Sequence, residues 1–166
     1  QVSDSRLFLF SDPTFKIPYF KRLLLIFVIE FQKKSIKKMI IDFSIQNYRS
    51  IKGKITLSFE AENSNRLEDF YVIEPIPGFK LLKLGIIYGP NGSGKTSILK
   101  ALDFLRKLVL TPAIQKQEQL DFEPFLFDLE SRKGPTIFEL NFIASGQRYL
   151  YEISFNKQEV ITEKLH

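Results

Sequence analysis

The chain contains no cysteine and no tryptophan, a single methionine, and one histidine, His166, which is its last residue. Without cysteine, neither a disulfide framework nor a thiolate metal site can form, a composition expected of a cytoplasmic protein. One terminal histidine cannot build a cluster, so zinc chemistry and histidine-based acid–base catalysis are not expected. Long apolar runs are missing as well. Residues 23–29 are continuously apolar, but a bilayer-crossing helix needs about 20 such residues, so no membrane span is expected. Glu30 and Phe31 follow that run where a signal peptide would carry small residues.

What is present suits one globular domain. The 166 residues are 44% hydrophobic and include 17 phenylalanines, enough to bury a core. The net charge of +5 is confined to residues 1–38. There, Arg6, Lys16, Lys21, Arg22, Lys33, Lys34, Lys37 and Lys38 face only Asp4, Asp12 and Glu30. The remainder is neutral, so the basic isoelectric point says little about a nucleic-acid surface on the domain. Met39 directly precedes a clean strand pattern. We therefore expect residues 1–38 to be a basic, apolar N-terminal extension outside the domain, and residues 39–166 to be the domain.

Residues 89–96 read Gly-Pro-Asn-Gly-Ser-Gly-Lys-Thr, which fits the Walker A pattern G-x-x-x-x-G-K-[ST]. The chemistry needs those residue types. A polyphosphate is met by inward-turned backbone amides, and glycines permit the tight curve while leaving no side chain in the way. Lys95 supplies a point charge for the β- and γ-phosphates, and the Thr96 hydroxyl a ligand for Mg²⁺. The expected nucleotide-binding residues are Gly89, Pro90, Asn91, Gly92, Ser93, Gly94, Lys95, Thr96 and Ser97, with ATP and Mg²⁺ as ligands. The motif has force only between a strand and a helix. Residues 83–88 (Lys-Leu-Gly-Ile-Ile-Tyr) read as a short buried strand before it. After it, Ile98, Leu99, Ala101, Leu102, Leu105, Leu108 and Val109 recur at helical spacing, and Pro112 marks a stop.

Around this core the pattern is β. Residues 39–47 alternate, with Ile41, Phe43 and Ile45 on one side, and residues 55–59 alternate again, so the two runs are expected to pair as an antiparallel hairpin. Residues 60–79, with Pro75, Pro77 and Gly78, read as a loop. Residues 111–123 read as a surface connection or short helix, and Glu118, Asp121 and Glu123 there as a solvated group. From Thr136 a three-stranded meander is expected, with Phe138, Leu140 and Phe142 on one face and Tyr149, Tyr151, Ile153 and Phe155 on the next. The fold class is therefore α/β: a strand–P-loop–helix core with an antiparallel hairpin and a three-stranded meander.

Three stretches carry a family resemblance. The loop Gly89–Thr96 resembles that of ATP-binding-cassette-like ATPases of the RecF and SMC kind. Residues 41–51 (Ile-Asp-Phe-Ser-Ile-Gln-Asn-Tyr-Arg-Ser-Ile) look like their opening strand, which ends in an Asn-aromatic-Arg/Lys step. Pro124-Phe125 and the meander are similar to AAA-type ATPases of that branch from abortive-infection and other phage-defence systems. The resemblance implies ATP hydrolysis by a partial cassette-like head that forms a homodimer around two nucleotides, with DNA or a defence-system protein as partner. It also implies that Arg49 contacts phosphate or DNA. Two family features are missing: an apolar strand ending in Asp-Glu and a Ser-Gly-Gly signature helix. Asp128, in Phe125–Glu130, comes too early to replace them, and no catalytic residue is assigned. The chain thus reads as the N-terminal lobe of a longer ATPase, expected to bind nucleotide but to hydrolyse it poorly alone. A nucleotide-dependent binding module without turnover is the alternative. A small-molecule P-loop kinase is disfavoured by the lack of an Arg-rich lid.

Overall fold

The computed structural model describes residues 38–62, 68–110 and 120–166. Nearly all of the expected N-terminal extension, and most of the 111–123 connection with Glu118, lie outside them. Strands β1 (Met39–Gln46) and β2 (Ile55–Ser58) pair antiparallel, as their alternation predicts. Strands β5 (Thr136–Ala144), β6 (Gln147–Phe155) and β7 (Val160–Leu165) form the expected meander. The two units are one sheet, because β1 also pairs with β5; the order is β2-β1-β5-β6-β7, antiparallel throughout. Alternation reveals which strands are amphipathic but carries no information about which distant strand lies alongside.

One face of this sheet holds the main core. Phe43, Ile45, Phe138, Leu140, Phe142, Tyr151, Ile153 and Phe155 pack there with Ala101, Leu105 and Val109 of the helix α2 (Lys95–Leu110). Tyr48, Phe104, Phe122, Phe138 and Phe155 form a ring cluster whose neighbouring centroids lie 4.9–6.4 Å apart. Each such pair adds about 0.5–1.5 kcal/mol beyond the area it buries. The aromatic stripe of the meander is thus an inner face. Burial also pushes the Tyr151 hydroxyl well above its ordinary pKa, reinforced by Glu163, whose carboxylate accepts its hydrogen bond at 2.9 Å.

Three expectations need correction. Ile41 does not share a face with Phe43 and Ile45. A bulge leaves it between the pairs Ile40–Phe142 and Asp42–Asn141, and the extra residue turns it to the other face, against Leu81 and Ile143. Residues 60–79 are not simply a loop, because they contain the short helix α1 (Glu68–Tyr71) and strand β3 (Val72–Ile76), which pairs with β4 (Phe79–Leu82). Pro75 sits inside the register shift between Ile73 and Ile76, where a missing N–H is tolerated. Gly78, at φ +82°, makes the turn and donates its N–H to Glu74 Oε1. This hairpin caps the second face, where Ile73, Ile76 and Phe79 pack around Ile41, Leu81 and Ile143.

The third correction concerns residues 83–88, which form no strand. Leu84, Ile86 and Tyr88 are 60%, 80% and 91% exposed. A buried strand needs hydrogen-bonded strands on its edges, and among the described residues no strand pairs with this segment, whose first residue, Lys83, donates its N–H to the Tyr71 carbonyl. Helix α3 (Leu129–Lys133) completes the described elements.

Candidate phosphate-binding site

The glycine-rich segment lies directly before α2 and has the backbone its composition requires. Gly92 and Gly94 sit at φ +81° and +91°, the left-handed region from which amide-lined anion cradles are built. At Gly89 an added Cβ would come within 3.2 Å of Ser93 Oγ. A turn bond from Ser93 N–H to the Pro90 carbonyl tightens the loop, and Ile98 N–H to the Gly94 carbonyl starts the helix. Helix α2 is 16 residues long and has no acidic side chain in its first turn, so its positive end keeps its field.

Lys95 is folded back over this loop. Its ammonium donates to the carbonyls of Gly89 at 2.7 Å and Pro90 at 2.6 Å, with Ser93 Oγ at the outer limit of 3.5 Å. An ammonium has three N–H donors, so two short bonds fix its position and the third, on the long contact to Ser93, is the one an anion at the loop's mouth would draw away. Asn91, Gly92, Ser93 and Thr96 are all exposed, and Gly94 and Lys95 half-buried. Thr96, the next residue, is exposed, and its hydroxyl is a hard oxygen donor of the type Mg²⁺ accepts. Ser97 differs. Its side chain is buried, and its hydroxyl is 2.7 Å from that of Ser50.

Ser50 belongs to the connection from β1 to β2, which is held on several sides. Tyr48 and Ile51 exchange two backbone hydrogen bonds, leaving Arg49 and Ser50 at the tip, and Arg49 adopts φ +52°. Asn47, buried and at φ +54°, is the anchor. Its amide nitrogen donates to the carbonyls of Ser131, Gly134 and Pro135, its side-chain oxygen accepts from Phe125 N–H, and its own carbonyl accepts from Thr136 Oγ1 at 2.6 Å. Tyr48 fills the ring cluster, and its hydroxyl donates toward the Lys100 carbonyl of α2 at 3.4 Å. Burial raises the pKa of that hydroxyl, against the opposing pull of Arg49.

Arg49 thereby sits beside Ser50, the residue that touches Ser97. Its guanidinium pairs with Glu123 at 3.4 Å, and its N–H donates to the Glu123 carbonyl. Asp128 lies elsewhere, capping α3 by accepting from Ser131 N–H and Oγ and pairing with Lys52 at 3.4 Å. Sequence reasoning missed Asn47 and Ser50 as parts of this site. Asn47 left a trace, since asparagine at a strand end is one of the few residues that adopt the left-handed conformation readily. Ser50 left none, because only tertiary packing brings it to Ser97.

No curated protein matches the chain. Residues 85–165, just under half of it, match the family model described as "AAA domain, putative AbiEii toxin, Type IV TA system". The matched stretch runs from the exposed segment through the glycine loop and α2 to the end of β7. This part of the chain is therefore similar to an AAA-type ATPase domain of the abortive-infection kind.

Proposed function

We propose that the chain binds Mg·ATP through Gly89–Ser97, with Lys95 on the β- and γ-phosphates and Thr96 on Mg²⁺. The observation that carries this reading is Lys95, fixed over left-handed glycines at a helix start free of acidic side chains. Arg49 is a further contact for phosphate or for DNA. In this reading residues 39–166 are the N-terminal lobe of a RecF/SMC-like ATPase head. It is cytoplasmic, works as a homodimer closing over nucleotide, and serves DNA-related or phage-defence work. The family match supports the ATPase class, and the sequence resemblance supports the finer assignment.

A second reading has its own support. Asp128 is engaged by a helix cap and a lysine, so among the described residues no carboxylate is assigned to activate water. Phosphoryl transfer depends on such positioning. The chain alone is thus a nucleotide-dependent binding module, and turnover requires groups beyond the described residues. Calorimetry of the full chain tests the site. Mg·ATP is expected to bind, and Lys95→Ala to weaken it roughly 10- to 100-fold, the worth of charge-assisted hydrogen bonds. Equal affinities would remove Lys95 from the site.

A further inference from the structure

We infer that Ser50 is a positioning residue for the phosphate loop, acting through its hydroxyl contact with Ser97 in the first turn of α2. The inference rests on the nucleotide-binding reading above and adds to it a part of the molecule outside the Walker A motif. Three observations converge on Ser50. Its Oγ is 2.7 Å from Ser97 Oγ. The same Oγ lies 3.5 Å from where a Cβ on Gly94 would stand, and Ile51 Cγ1 lies 3.8 Å from that point, so the tip of the turn backs the last glycine of the loop. The turn is itself immobilised by the Asn47 amide and by Tyr48 in the core.

The physical consequence is preorganisation. A loop that presents backbone amides to a polyphosphate works only when the amides are held close to their bound geometry. α2 begins at Lys95, so its first turn is also the end of the cradle. A serine hydroxyl in a helix's first turn would otherwise compete for local backbone groups, including amides that the anion needs. Engaging it with Ser50 removes that competition and ties the helix start to the sheet through β1. Ser50 is exposed overall, so its hydroxyl can be removed without opening the core.

The test is calorimetry of Mg·ATP with the full chain, alongside melting midpoints measured without nucleotide. Ser50→Ala is expected to weaken binding roughly three- to tenfold, the size of one lost hydrogen bond, with the ligand-free midpoint lowered by no more than about 5 °C. Ser50→Thr, which keeps the hydroxyl, is expected to restore the affinity. In a Ser97→Ala background, Ser50→Ala is expected to have no further effect. Wild-type affinity in Ser50→Ala, no rescue by Ser50→Thr, or the full further loss in the Ser97→Ala background would each overturn the inference. A fall in the ligand-free midpoint beyond about 5 °C would overturn it too, by making Ser50 merely structural. If Lys95→Ala abolishes binding while Ser50→Ala leaves it intact, this inference fails and the nucleotide site stands. If the wild type itself does not bind, both fail.

Discussion

Asn47 binds its surroundings on four sides through one short side chain. Three carbonyls accept from its amide nitrogen and one backbone N–H donates to its oxygen. Its left-handed backbone adds a second constraint, since an alanine there costs about 1–2 kcal/mol in conformation alone. Asn47→Ala should therefore destabilise the chain by about 3 kcal/mol in urea unfolding, because the groups left behind are partly buried and unsatisfied. A loss below about 1 kcal/mol would mean that water replaces the amide. Lys95 is different: two short bonds hold it in place, and the third, to Ser93, is long enough for a ligand to replace. Its role could be read from the octapeptide alone, because the Walker A pattern encodes local backbone geometry. The roles of Asn47 and Ser50 could not, because they depend on segments up to 89 residues away.

Among the elements, α3 depends most openly on one ionisable group. Hydrogen bonds from the Ser131 hydroxyl and backbone, then the charge of Lys52, hold the Asp128 carboxyl below the usual carboxylate range. A depressed folded-state pKa stabilises the folded form at all pH values above the ordinary carboxylate pKa, and that contribution disappears as pH falls through the lowered value. The Ser131 amide resonance should titrate with that lowered value, and Asp128→Asn should abolish the titration. A midpoint at or above the ordinary carboxylate value would contradict the cap. The strands were legible for a related reason. Alternation in β1, β5 and β6 is a local consequence of one buried face. The bulge at Ile41 was hidden, because one inserted residue changes the phase without changing composition. The β3–β4 hairpin was hidden by its prolines, which ordinarily argue against a strand and are accommodated here by a register shift.

For the molecule as a whole, the apolar segment before the phosphate loop separates what the sequence suggested from what the fold contains. Its residues have the composition of a buried strand, and burial requires neighbours that the described sheet does not provide. Ile86→Thr should accordingly change the unfolding free energy by no more than about 0.5 kcal/mol, as expected for a surface position. A loss of about 2 kcal/mol or more, on the order seen for truncating a core side chain, would show that the segment is covered in solution. The sheet, the core face of α2 and the loop do not depend on that outcome, since they are tied together through Tyr48, Ser50 and the ring cluster.

The central claim is that a triphosphate sits in the glycine loop at the start of α2. Amide chemical shifts of the full chain, followed while Mg·ATP is titrated, test it most directly. Saturable shifts are predicted at Gly89–Ser97, with smaller ones at Arg49 and Ser50, all lost in Lys95→Ala. Shifts centred elsewhere, or a loop whose amides do not respond at saturating nucleotide, would contradict it.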